Sequence, residues 1–351
     1  MTAGAPYTWR VVSAYAAAAL FVFATWVWGA DTEMQAINGD PRSTLDGLIY
    51  GTAYNPFVQR ALVPLLTRAG IEVIPAGARD SLRNHLASIP KFQKEARRLG
   101  WDLRFVPEYL IAFFFSFLAL LFFPFVLRSL FSALYTAEDR LISFVPLAAL
   151  FVLPPFFFIG THYVYDFPAL LFFTLGLLLM VRRRWAVYYL VFMIGCINKE
   201  TMVLLLIPLL LIYRTAFPRR EMLVHAALHV ILFGAVKGSL MLIFAGNPGG
   251  VLEFHLFGNI HKLLMPYSLL TLMSAAIVAL MIWFDFPAKH PVLRKAAWLL
   301  VPCLLLALCF AWIDEGRDFY ELFPIYILLM AHTVLFSFMK RPYALKEVVT
   351  S

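Results

Sequence analysis

From Val106 to Leu127 the chain carries one charged residue, Glu108, among Phe, Leu, Ala and Ile. At 1.5 Å of rise per helical residue that run reaches roughly 33 Å, enough to cross a hydrocarbon core of about 30 Å. Further apolar runs occupy 9–30, 141–160, 168–181, 186–197, 202–214, 225–246, 267–285, 297–313 and 322–339. Of 351 residues, 62% are hydrophobic and 14% charged, more apolar surface than a soluble domain of this length buries. The expected fold is all-α, a polytopic transmembrane bundle of about ten spans forming a single integral membrane domain over 1–351. A large first loop, 31–104, is expected to be partly helical and extracytoplasmic.

The run from Trp9 to Ala30 is as long as a full span and lacks a small-residue cleavage site, so it reads as a retained first helix. Cys196, Cys303 and Cys309 all sit inside apolar runs, at spacings of neither a disulfide framework nor a zinc site, and read as small core residues. The formal charge of +8 is spread over helix ends rather than gathered on one soluble face, which argues for topology over nucleic acid.

With the N-terminus cytoplasmic, one side receives Arg10, Arg128, Arg140, Arg182 to Arg184, Arg214, Arg219, Arg220, Lys289, Arg294, Lys295, Lys340, Arg341 and Lys346. The opposite short loops hold little beyond Lys199, Lys262 and Arg317. The positive-inside rule then puts both termini in the cytoplasm, long loops such as 31–104 being discounted.

Inside that loop, Phe57 to Ala69 repeats apolar residues near helical spacing and reads as a helix at the membrane interface. Arg79 to Leu99 mixes Leu82, Leu86, Ile89, Phe92, Ala96 and Leu99 with basic residues, and Pro90 divides it into two short amphipathic helices. The runs 186–197 and 202–214 are too short to cross fully and meet at Asn198-Lys199-Glu200-Thr201. Charges at that depth need a water-filled cavity or a partner.

Five polar places fall on the same expected face. Asp31-Thr32-Glu33 sets two carboxylates two residues apart, a spacing that suits a shared divalent cation (Mg or Mn) or a general base. Asp46-Gly-Leu-Ile-Tyr50, followed by Pro56 to Pro64, offers Asp46 as base and Arg60 as a planar cation for a phosphate or for that carboxylate; the ordinary alternative is a helix-capping Asp46 and an Arg60 reaching toward headgroups. Thr161 to Asp166 contributes His162 and Asp166. At Asn198 to Thr201, Lys199 and Glu200 either serve a ligand or pair with each other. Asp314-Glu315-Gly316-Arg317-Asp318 with Glu321 sets an arginine among acids. His225, His229 and Lys237, inside the run 225–246, read as hydrogen-bonded core groups.

This layout resembles the GT-C superfamily of multi-span glycosyltransferases, which use lipid-linked sugar donors at the outer face of the membrane. The resemblance rests on the large first loop with its acids and interfacial helices, on Asp46 to Tyr50 leading to Arg60-Ala-Leu-Val-Pro64, and on Asn198-Lys199-Glu200-Thr201 followed by Met202 to Pro208, segments similar to those of uncharacterised bacterial relatives. It implies a bacterial inner membrane and a polyprenyl-phosphate-sugar donor, with a glycan, lipid or protein acceptor. Asp46 or Asp31 would deprotonate the acceptor, or help a metal held by Asp31 and Glu33 to do so. Arg60, Lys199 and Arg317 would hold the leaving phosphate, and Tyr50, His162, Asp166, Glu200 and Glu315 would complete the substrate site. A polysaccharide polymerase or ligase acting on lipid-linked glycans would use the same groups. A secondary transporter would share the span pattern, although no two similar halves are evident.

Overall fold

The structure, a computed structural model, describes residues 8–29, 37–157, 161–250 and 252–347; Asp31 and Glu33, the proposed metal pair, lie outside them. The described chain is helical apart from one two-stranded ribbon.

The first helix, α1 (Trp9–Trp28), contains no charge after Arg10 and is followed by the short helices of the first loop: α2 (Leu45–Tyr50), α3 (Leu62–Val73), α4 (Ala76–Ala87) and α5 (Pro90–Arg98). Thr44 Oγ1 caps α2 by accepting from the Gly47 N–H (3.3 Å), and Gly51 closes it at φ 74°, a left-handed conformation glycine adopts without strain. Pro90 starts α5 as expected, its missing N–H costing nothing at a first helical position.

The stretch 57–69 departs from expectation. A turn of three-ten helix, Phe57–Gln59, ends at Arg60, whose backbone (φ −88°, ψ 67°) is not helical, and α3 begins only at Leu62. The cause is the Ala61 N–H, which donates to the Ile197 carbonyl (2.9 Å) instead of to its own turn. That bond ties the loop to the main bundle.

The bundle continues with α6 (Val106–Leu134), α7 (Asp139–Val152), α8 (Asp166–Val181), α9 (Trp185–Asn198), α10 (Leu206–Tyr213) and α11 (Arg219–Ile243). It closes with α12 (Leu256–Leu264), α13 (Leu269–Trp283), α14 (Pro291–Ala296), α15 (Leu300–Phe310) and α16 (Phe323–His332). The α6 helix runs past its expected end to Leu134, where Tyr135–Ala137 (β1) pairs antiparallel with Tyr343–Leu345 (β2) and brings the C-terminal segment back onto it. Between α9 and α10, Lys199 is extended (φ −155°, ψ 136°) and Glu200–Leu205 forms a three-ten helix, so the expected interruption is present.

Among the described residues five helical stretches are long and apolar enough to cross a membrane: Trp9–Trp28, Leu103–Leu134, Asp139–Phe156, Arg219–Ile243 and Pro291–Phe310. The pair α12 and α13 passes the same test together but bends by 106° between its halves. Shorter apolar stretches are Asp166–Val181, Trp185–Asn198, Glu200–Tyr213 and Phe323–Phe338.

The core centres on α6, which packs against α1, α3, α7 and α8. Trp26, Phe123, Phe167 and Tyr320 are buried within the bundle. Outside it, α11 and α13 turn apolar side chains outward, with Leu242 at 81% and Leu269 at 73% exposure. A surface of that kind suits lipid better than water.

Contacts sort the helix ends into two groups. At one end Arg182 to Arg184 follow α8, the Tyr213 hydroxyl donates to the Met180 carbonyl (2.7 Å), and Lys295 Nζ donates to the Ile212 carbonyl (3.1 Å). At the other the first loop meets the start of α8 and the break after α9.

Candidate functional site

Four segments converge at the end of the bundle covered by the first loop. Asn198 is the pin: its side-chain amide donates to the Tyr165 carbonyl (2.9 Å), joining the end of α9 to the start of α8. The next residues then turn in opposite directions, because an extended residue followed by a three-ten turn sends neighbouring side chains to different sides.

Glu200 points toward the first loop. Arg60 donates to it through Nη2 (2.7 Å to Oε1) and Nε (3.4 Å to Oε2), a two-pronged contact only arginine makes. Arg60 also donates through Nη1 to the Tyr165 hydroxyl and stands 4.7 Å from the centre of that ring. Lys237 of α11 approaches the other side of Glu200, Nζ 3.7 Å from Oε2.

Lys199 turns inward, with Nζ 3.4 Å from Glu321 Oε1 and both side chains nearly inaccessible. The Thr201 hydroxyl donates to the same oxygen. Arg317 pairs with Glu315 and lies 4.5 Å above the Tyr163 ring; Tyr163 stacks on Tyr165 at 4.9 Å. Two parallel rings thus carry Arg317 on one and Arg60 on the other. Asp166, buried at the first residue of α8, accepts from the Tyr163 N–H (3.3 Å).

The cluster keeps unused hydrogen-bonding capacity. Among the described residues, Lys199 Nζ, Arg317 Nε, Asp166 Oδ1, Glu321 Oε2 and the Tyr320 hydroxyl are buried without a hydrogen-bond partner. A buried polar atom without a partner costs about 1–3 kcal/mol, and five of them lie together here, Lys199 Nζ with only its ion pair to Glu321. Burial pushes the Glu315 carboxyl above its ordinary value although Arg317 opposes the shift. It likewise raises the Tyr163 phenol and lowers the His162 imidazole.

Of the residues expected from sequence, Arg60, Asp166, Lys199, Glu200, Glu315 and Arg317 therefore come together. Lys199 and Glu200 do not pair with each other, and Arg60 takes Glu200 rather than Asp46. Asp46 instead accepts from the Tyr109 hydroxyl (3.3 Å), and Tyr50, one turn later, donates to Glu108 (2.8 Å), so both sit over the start of α6. The two places are joined through Ser43, whose hydroxyl donates to the Tyr163 hydroxyl (3.2 Å). His162 is stacked on Trp26 at 5.6 Å with Nε2 2.6 Å from the Phe157 carbonyl, a packed position with structural work to do.

Tyr163, Tyr165 and Thr201 had drawn no specific role from the sequence, and Lys237 reads there as a core group. Its signal is depth: Lys237 lies 18 residues beyond Arg219 in one helix, roughly 27 Å along the axis, level with the break at Glu200. No described group of three or more His, Cys, Asp or Glu side chains has the arrangement of a metal site; Asp31 and Glu33 fall outside that statement.

No family model, curated protein or solved structure matches this chain. Its site must be read from its own geometry.

Proposed function

We propose that this chain is a membrane glycosyltransferase of GT-C type, moving a sugar from a polyprenyl-phosphate donor to an acceptor hydroxyl at the non-cytoplasmic face. On this reading the protein has ten crossings, both termini on the arginine-rich side, and residues 31–104 as the loop that roofs the site. A bacterial inner membrane is part of the same proposal.

The observation that carries it is the buried cluster of Arg60, Lys199, Lys237 and Arg317, with hydrogen-bonding capacity unspent, at the end of the bundle opposite the arginine-rich loops. The donor phosphate would take donors from Arg60, Lys199 and Arg317. Fixed cations in a water-poor site stabilise charge that grows on a leaving phosphate far better than solvent does. The acceptor oxygen attacks the anomeric carbon as the bond from that carbon to the phosphate oxygen breaks. The acceptor proton passes to a first-loop carboxylate, and the lipid phosphate leaves.

Asp46 is the described candidate for that carboxylate, half-buried one turn after the Ser43 that touches Tyr163. Asp31 and Glu33 are the others, and with them any Mg or Mn. Asp166 is too enclosed to meet an acceptor and serves to hold the cations in place.

The broken helix at Asn198–Leu205, with charges near membrane depth, also favours a secondary transporter as a second reading. Polymerase or ligase action on lipid-linked glycans uses the same chemistry as the first. Mass spectrometry of surface glycans and lipid-linked sugars separates these in cells with the gene, without it, and with Asp46→Asn at matched protein level. Loss of one sugar in both altered strains is expected; unchanged glycans would leave transport as the better account.

A further inference from the structure

The cations at the two ends of the bundle are handled differently. Around Tyr163 and Tyr165, Arg60, Lys199 and Arg317 each face a carboxylate. At the opposite end a cavity of about 350 Å³ opens between α10 and α11, flanked by Arg214 and Arg219. Among the described residues no carboxylate pairs with either arginine. The nearest acid in sequence, Glu221, faces His225 instead at 4.0 Å.

The walls of the cavity are apolar, with Leu210, Leu211 and Leu223 among them, and Leu223 is 60% exposed. Phe217 forms a stiff side, stacked on Tyr213 (4.5 Å, 15°) and on His225 (5.2 Å, 15°). Arg183 lies over both Tyr213 and Phe217, at 5.6 and 5.8 Å, adding a third cation to the same corner. The first turn of α11 begins here, at Arg219, so the positive end of a long helix points the same way.

We propose that this cavity binds one anionic phospholipid, its phosphate between Arg214 and Arg219 and an acyl chain along Leu210 and Leu223. A free phosphate would satisfy the arginines but leave the apolar walls wet; a zwitterionic lipid would fill the walls and bring no net charge. Only a lipid with a net negative headgroup answers both features. Basic pockets between membrane helices recognise lipids on these terms. The inference depends on the chain lying in a bilayer and is independent of which reaction the other end performs.

The test is native mass spectrometry of the full chain in detergent, titrated with dioleoylphosphatidylglycerol, with dioleoylphosphatidylcholine, and with the first lipid in the presence of glycerol 3-phosphate. The intact protein should prefer phosphatidylglycerol by roughly thirtyfold, two arginines at about a kilocalorie each, and soluble glycerol 3-phosphate should not displace it. Arg214→Gln with Arg219→Gln should abolish the preference, and Arg341→Gln should keep it. Should the double variant fail to fold, Leu223→Trp, which fills the mouth and leaves both arginines, should lower binding of either lipid. Equal binding of the two lipids by the intact protein, displacement by glycerol 3-phosphate, or an unchanged preference in the double variant or unchanged binding by Leu223→Trp would overturn the proposal.

Discussion

Lys199 Nζ stands 3.4 Å from Glu321 Oε1, with 3% and 2% of the two side chains exposed. Removing one charge of such a pair strands the other in a medium that cannot solvate it, at about 3–5 kcal/mol, whereas replacing both with apolar groups of similar size is far less costly. Lys199→Met alone and Glu321→Leu alone should each lower the unfolding midpoint in detergent strongly, and the double variant should recover much of the loss. Additive losses would show that the pair contributes little as a pair.

Arg60→Lys keeps the charge and loses the fork that reaches both Glu200 oxygens and Tyr165. Lysine is a point donor, so transfer should fall about a hundredfold in kcat/KM, the scale for losing one preorganised donor to developing charge. Steady-state kinetics with a polyprenyl-phosphate sugar measures it. Activity within twofold of the parent would remove Arg60 from the phosphate site.

Glu315 pairs with Arg317, so on the proposed reading it competes with the donor phosphate for that guanidinium. Its pKa is raised by burial, so the proton that frees Arg317 is taken up above the usual glutamate range. A raised value favours the protonated form below it, so binding of the singly charged phosphodiester donor should strengthen as pH falls through that pKa and weaken as pH rises through it. Glu315→Gln should hold the tighter binding at neutral pH, by roughly tenfold, and flatten the pH profile. A profile unchanged by the substitution would place Arg317 outside the donor site.

The segment after α11 grips the first loop from the other side. Asn55 donates to the Phe244 and Asn247 carbonyls (3.1 and 3.2 Å) and Asn247 to those of Gly51 and Ala53 (both 2.8 Å). Gly249, at φ 94°, passes so close that a Cβ there would lie 2.5 Å from the Asn55 carbonyl oxygen. Gly249→Ala meets both the forbidden backbone and the clash, with about 1–3 kcal/mol for the strain alone. The loop should loosen, seen as faster proteolytic cleavage within residues 37–104 while the bundle stays folded.

What the sequence discloses and what it hides follow from distance along the chain. The apolar runs, the division at Pro90 and the break at Asn198–Thr201 depend on neighbouring residues; the division and the break are visible in the structure, and five of the ten expected spans are helices long enough to cross among the described residues. Which acid answers which cation depends on segments that meet only after folding: Arg60 and Glu200 are 140 residues apart, and Thr201 and Glu321 are 120 apart. The sequence therefore displays the charged residues and leaves their pairing open. The interruption at Arg60 of the helix expected over 57–69 was hidden for the same reason, since it goes with a hydrogen bond from the Ala61 N–H to Ile197, far along the chain.

Binding of radiolabelled polyprenyl phosphate to the detergent-purified full chain, with the parent polyprenol as control, tests the central claim most directly. With the cavity at Arg214 and Arg219 kept occupied by excess phosphatidylglycerol, the phosphate form should bind at least about tenfold more tightly than the alcohol, and Arg317→Met should remove the difference while Arg341→Gln should not. Equal binding of phosphate and alcohol, or a phosphate preference that survives Arg317→Met, would contradict it.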